Sequence, residues 1–236
     1  MKRGNNIEVL NKTDRAISGA GQFVVLICIV LANITQFLSS AAIAATDADI
    51  ASTGYQLKVT FLYNFMKFMD WPDPNSVSNT DAKDKDPVVL GVLGDNYLKK
   101  NMQYLTGKTI KNRPLKAITI EGYNAYKQEK NNATVMDYLT EHQNILKSCH
   151  LLFISASEKD RLAEILKFTE KNPILTVSDI RDFVEAGGVI GFVTENNRIR
   201  FDINTVSAET KRLKISSQLL QLARKIFKKQ TDKQGQ

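Results

Sequence analysis

Cysteine is nearly missing from this 236-residue chain, which holds only Cys28 and Cys149. Histidine is as scarce, with His142 and His150 alone. Cys149 and the two histidines fall short of any spaced metal-ligand set. No Gly-x-Ser-x-Gly elbow exists, so a hydrolase would lack its nucleophile. Gly91-Val92-Leu93-Gly94 is neither a dinucleotide fingerprint nor a phosphate-binding loop. The formal charge of +7 is modest and spread along the chain, without the aromatic-interleaved basic stripe of a nucleic-acid binder. These absences point away from an enzyme, a metal or cofactor protein and a nucleic-acid partner.

Long apolar runs are also lacking. Phe23 to Ala32 is an apolar stretch of ten residues, about half of what a membrane-spanning helix needs, and Asn33, Thr35 and Gln36 end it. Lys2, Arg3, Lys12 and Arg15 precede it, and Ala42-Ile43-Ala44 places small residues at both recognition positions of a signal-peptide cleavage site. Residues 1–44 are therefore expected to be a signal peptide cleaved after Ala44, an uncleaved anchor being the alternative. Residues 45–236 are then the exported domain. Residues 1–44 hold four basic and two acidic residues; their removal leaves 28 basic and 23 acidic. Cys149 would be the sole remaining cysteine, unable to form an internal bridge, and a buried structural role suits it best.

From Tyr55 to Asp70 the spacing predicts a helix. Leu57, Phe61, Phe65 and Phe68 mark one stripe, and Val59, Leu62, Tyr63, Met66 and Met69 widen it. Gln56, Thr60, Asn64 and Lys67 leave only a narrow polar strip. A helix this apolar is buried on more than one side, by its own core or by a partner. Trp71-Pro72 stops it. Asp73 to Asp86 reads as a loop, Val88 to Leu93 as the first buried strand, and Lys108 to Ile120 as an extended stretch. Helices are expected near Tyr97 to Leu105, Val135 to Lys147 and Lys159 to Glu170, with a buried strand at Leu151 to Ile154. Alternating strands and helices predict a single α/β domain: a mostly parallel sheet with helices on both faces.

The stretch from Pro173 to Asn204 closes that sheet. Ile174 to Val177 is a short buried strand. Ser178-Asp179 are read as capping a helix over Ile180 to Glu185, and Gly187-Gly188 as the turn that leaves it. Val189 to Val193 is apolar on both faces. Asn196-Asn197 suits a hairpin turn with positive φ. The return strand alternates Ile199, Phe201 and Ile203 against Arg198, Arg200, Asp202 and Asn204, which predicts an antiparallel C-terminal edge hairpin. Further on, Lys214, Ser216 and Ser217 lie at a helix N-terminus, where free N–H groups favour an anion, although Ser216 is also an ordinary cap. The last helix is expected to present Leu219, Leu220, Ala223, Ile226 and Phe227 on one face.

Four segments resemble the YfiR family of exported bacterial proteins: LYNFMKFMDWP at 62–72, CHLLFIS at 149–155, the LTVSD…AGG…IRFDIN block, and LKISSQLLQLA at 213–223. The resemblance implies a periplasmic, non-catalytic α/β protein that represses an inner-membrane diguanylate cyclase by engaging its periplasmic region. An outer-membrane lipoprotein can sequester such a repressor. The implied output is control of cyclic-di-GMP and of biofilm formation. Some members bridge a cysteine of the first strand to the one ahead of the HLLFI-like strand; here Gly91 stands in the first strand and Cys149 is alone. A repressor needs a partner surface, and Tyr63, Lys67 and Trp71 are the first candidates. The apolar helix also leaves room for a homodimer. The alternative from another class is a periplasmic small-ligand protein using the anion site at Lys214, Ser216 and Ser217, with Arg113 nearby.

Overall fold

The computed structural model describes residues 47–72, 86–94 and 98–229, with side chains from residue 54 onward. The described residues from Asp49 onward form one compact unit. The expected signal segment, most of the loop after Trp71, the Asp95-Asn96 turn and the tail from Gln230 lie outside the described residues.

The long apolar helix is α1 (Asp47–Lys67), followed by the two-residue strand β1 (Met69–Asp70). Next come β2 (Val88–Leu93), α2 (Leu98–Asn101), a 3-10 turn (Met102–Leu105), β3 (Thr109–Ile110) and β4 (Arg113–Ile120). Three short helices lead back to the sheet: α3 (Tyr123–Glu129), α4 (Val135–Glu141) and α5 (Gln143–Ser148). They are followed by β5 (Leu151–Ile154), a 3-10 turn (Ala156–Arg161), α6 (Leu162–Thr169) and β6 (Leu175–Ser178). The chain ends with β7 (Ile190–Glu195), β8 (Arg198–Asn204), α7 (Thr205–Thr210), β9 (Lys214–Ile215), α8 (Ser217–Leu222) and β10 (Lys225–Phe227).

The main sheet has eight strands in the order β10-β8-β7-β6-β5-β2-β4-β3. Strands β4, β2, β5, β6 and β7 run parallel. Strand β8 turns back against β7, with Phe192 opposite Phe201, and β3 is antiparallel to β4. The α/β class with a mostly parallel sheet is thus the fold. β1 pairs with β9 as a separate two-stranded ribbon, Asp70 opposite Lys214.

Buried strands covered on both faces should be apolar throughout, and β2 and β5 are buried at every position. On one face Leu90, Val92, Phe153, Val177, Phe192 and Phe201 meet Leu62, Phe65 and Met66 of α1, together with Leu98, Ala208 and Leu219 from α2, α7 and α8. On the other, Leu93, Leu152 and Ile154 meet Tyr126, Tyr138, Leu146, Ile165 and Phe183. Phe65 sits 4.9 Å from Phe201 and 5.7 Å from Phe192, centroid to centroid, within the range of favourable aromatic pairs. Leu62, Phe65, Met66 and Met69 are fully buried, each worth on the order of 2 kcal/mol.

Several local expectations are corrected. Ile180 to Glu185 forms consecutive turns rather than a helix, because Ser178 directs its hydroxyl to the Ile154 carbonyl and accepts the Ile180 N–H, and Asp182 takes φ 59°. Gly187, not Gly188, holds the left-handed conformation, at φ 103°. Gly188 is small for another reason: a Cβ there would lie 2.1–2.5 Å from the Phe183 ring. The helix expected over Val135 to Lys147 is interrupted at His142, which separates α4 from α5. The last helix stops at Leu222, and Ile226 and Phe227 continue as β10, parallel to β8. Asn196 and Asn197 take φ 48° and 59°, as a two-residue hairpin turn requires. No helix among the described residues is long and apolar enough to cross a membrane.

Candidate functional site

Helix α1 buries one side completely and leaves a strip open. Val59, Leu62, Phe65 and Met66 are buried, whereas Gln56, Leu57, Thr60 and Lys67 are exposed. Leu57, which the periodicity assigns to the core stripe, is 43% exposed, and Tyr104 of the neighbouring 3-10 turn is 53% exposed. The Gln56 side-chain amide donates to the Tyr104 hydroxyl at 3.3 Å, so the two segments share one surface. Sequence reasoning missed both residues: helical periodicity assigns a face, but not where the layer beneath it ends, and nothing marks Tyr104.

Tyr63 and Lys67 are at this surface. The Tyr63 hydroxyl donates to the Thr109 carbonyl at 3.2 Å, and the Lys67 ammonium lies 5.5 Å from the Tyr63 ring centroid, a cation–π distance. Trp71 is half-buried and anchored. Its indole N–H donates to the His150 carbonyl at 3.0 Å, and its ring stands edge to face with the imidazole at 5.5 Å. The structure therefore gives Trp71 a packing contact of its own, so truncating it perturbs the fold as well as any surface.

Lys214, Ser216 and Ser217 stand at the start of α8. Lys214 belongs to β9, and Ser216 caps α8 by accepting the Leu219 N–H at 3.2 Å. Its hydroxyl oxygen is thus engaged, and α8 is only six residues long. Ser217 is exposed. Arg113 is committed elsewhere, with Nε donating to the Asp86 carbonyl at 2.8 Å and Nη2 lying 3.3 Å from His150 Nε2.

A cleft of about 350 Å³ opens on the opposite face of the sheet, beneath the turns between β6 and β7. Asp179, Asp182, Asp202 and Arg224 are among its walls. Arg224 forks onto the buried Asp202 carboxylate, with Nε at 2.8 Å and Nη2 at 2.5 Å; this carboxylate raises the arginine pKa further. Lys58 closes on Asp179 at 2.5 Å.

Cys149 is buried and free, its thiol pushed up to about 12 by burial, which leaves it protonated and unreactive. Its Sγ points at Gly91, where a Cβ would lie only 2.5 Å away. No metal-holding cluster of histidine, cysteine and carboxylate side chains occurs among the described residues.

No curated protein matches the chain. A crystal structure of a conserved domain protein from Vibrio cholerae O1 biovar El Tor is similar at 8% identity and a TM-score of 0.49, covering 73% of this chain. This chain spans 60% of that structure's length. The family model described as YfiR/HmsC-like matches residues 55–224, a span that runs from the start of the exposed α1 strip to the arginine of the cleft. The chain belongs to the YfiR/HmsC-like family, a regulatory family linked to diguanylate cyclase.

Proposed function

We propose that this protein is a periplasmic repressor of an inner-membrane diguanylate cyclase, acting by contact with the cyclase's periplasmic region rather than by catalysis. The observation that carries the reading is the family match over residues 55–224. The docking surface is the open strip of α1 with Leu57, Tyr63 and Lys67, joined by Tyr104. Trp71 fixes the end of that segment. Residues 1–44 serve as the export signal, and an outer-membrane lipoprotein relieves repression by sequestering the protein. The output is lower cyclic-di-GMP and less biofilm.

Apolar and aromatic anchors carry most of an interface's energy, at about 2 kcal/mol or more each. Leu57 and Tyr104 are exposed, so their replacement should leave the fold intact. Deleting the gene should raise cellular cyclic-di-GMP in a strain that expresses the partner cyclase. The intact gene should reverse the rise, whereas a version lacking residues 1–44, or a Leu57→Asp/Tyr104→Ala variant of unchanged melting temperature, should not. Unchanged cyclic-di-GMP in the deletion strain would overturn the proposal.

A further inference from the structure

His150 lies just before β5, where the N-terminal ends of β2, β5 and β6 come together. Its backbone is fixed by three contacts: its N–H donates to the Val89 carbonyl at 2.9 Å, and its carbonyl accepts both the Leu175 N–H at 2.9 Å and the Trp71 indole N–H at 3.0 Å. Its ring is placed less comfortably. The Val89 N–H points at Nδ1 at 3.2 Å, and Arg113 Nη2 lies 3.3 Å from Nε2. Arg113 cannot simply withdraw, because its guanidinium is also tied to the Asp86 and Pro87 carbonyls.

Amide and guanidinium groups only donate. A neutral imidazole has one nitrogen that accepts, whereas an imidazolium donates from both. Two donors therefore converge on a ring that can accept at one nitrogen when neutral and at neither when protonated. The Trp71 indole stands edge to face with the ring at 5.5 Å. The Ser148 carbonyl exerts the one opposing pull on the ring. Arg113 is the charged group facing the imidazole among the described residues.

We propose that His150, Arg113 and Trp71 form an acid-responsive latch, in which protonation of the imidazole unseats the indole. The strands supplying Val89 and Leu175 lie inside the sheet, whereas Trp71 is half-buried at the margin of the α1-side core, with one side-chain hydrogen bond and its ring contact to His150. The indole is the aromatic neighbour that an imidazole displaced from its two donors meets. The direction of titration agrees with this geometry. Burial first, and Arg113 second, push the His150 pKa down from 6.5 to about 4. The released state consequently binds more protons throughout that interval, and the latch weakens as pH falls through it. Trp71 belongs to the segment assigned to partner contact, so an effect of acid on repression rests on that functional reading; the latch itself does not.

Trp71 is the only tryptophan of the chain, so its fluorescence reports the latch directly. The purified protein should show a reversible red shift of emission between pH 7 and pH 4, with far-UV circular dichroism unchanged. His150→Gln should remove the transition. Arg113→Met, which keeps the imidazole and deletes the facing cation, lets the latched ring carry its proton at lower cost, so the transition should shrink or move its midpoint to lower pH. A flat wild-type profile, an unaltered transition in His150→Gln, or an unaltered transition in Arg113→Met would each overturn the latch. None of these outcomes bears on whether deletion of the gene raises cyclic-di-GMP.

Discussion

Gly91→Ala is expected to destabilise the fold, although removing a glycine from a strand ordinarily gains about 0.5–1 kcal/mol. Gly91 is a buried position of β2. A Cβ built there meets Cys149 Sγ at 2.5 Å, Leu152 Cδ1 at 3.2 Å and Ile120 Cδ1 at 3.5 Å. The sulfur cannot easily yield, because Cys149 is buried and its thiol donates to the Ile145 carbonyl at 3.3 Å. Overpacking of this kind costs about 1–3 kcal/mol. Cys149→Ala alone should lose about 1 kcal/mol of burial, on the scale of one buried methylene-sized group. In the double variant the new methyl enters the space left by the sulfur. The two losses should then fall short of additivity by at least about 1 kcal/mol, within the usual range for residues in contact. Urea unfolding at constant m measures the four corners of the cycle. A neutral Gly91→Ala, or a double variant that costs the plain sum, would refute the reasoning.

Gly188→Ala should cost about 1–3 kcal/mol through collision with Phe183. Gly187→Ala should cost about 1–2 kcal/mol through its left-handed backbone alone; equal thermal melting for Gly188→Ala and wild type would contradict the contact. Arg224→Met should cost about 2–3 kcal/mol by chemical denaturation, since it strands the buried Asp202 carboxylate. Lys211 is buried against the Thr169 carbonyl at 2.6 Å, and burial lowers its pKa from 10.5 to about 8. The unfolded chain therefore holds this proton to higher pH than the folded one, and the lysine's contribution to stability rises between pH 8 and 10.5. The melting temperature of wild type minus that of Lys211→Met should increase as pH rises over that range; a constant or falling difference would count against it.

The parallel core was legible because its residues leave no alternative. Val88 to Leu93 and Leu151 to Ile154 are too short for buried helices and too apolar for solvent. The Asn196-Asn197 hairpin was legible because two consecutive positive φ values select that residue type. Contacts distant in sequence were not legible. The helix expected at Ile180 was lost to one hydroxyl, that of Ser178, which binds the Ile154 carbonyl. Periodicity alone extended the last helix through Ile226 and Phe227, but a free position beside β8 recruited them as a strand. The candidate surface was half legible for a related reason. The surplus of apolar positions on α1 signals double-sided burial, yet Leu57 is exposed and Trp71 is anchored, and each outcome depends on which element lies opposite.

The strand order also indicates where function is to be sought. In β4-β2-β5-β6-β7 the chain moves from β2 to one side, then crosses to the other, which creates a switch point between the carboxyl ends of β2 and β5. Open α/β sheets usually bind ligands in that crevice. Here side chains of the protein itself approach it. Gly94 ends β2 at φ 91°, and a Cβ there would lie 2.5 Å from Ser157 Oγ and 2.9 Å from Glu158 Oε1. Glu158 is 1% exposed. Its carboxylate accepts the Ser157 hydroxyl at 3.1 Å and the Tyr123 N–H at 3.4 Å. The Tyr123 N–H and the close approach at Gly94, which would elsewhere receive a ligand, are thus answered by an internal carboxyl group. A ligand brought to the same place would have to displace these internal contacts. That arrangement fills the crevice with the protein's own groups, whereas Leu57 and Tyr104 on the α1 side stand exposed.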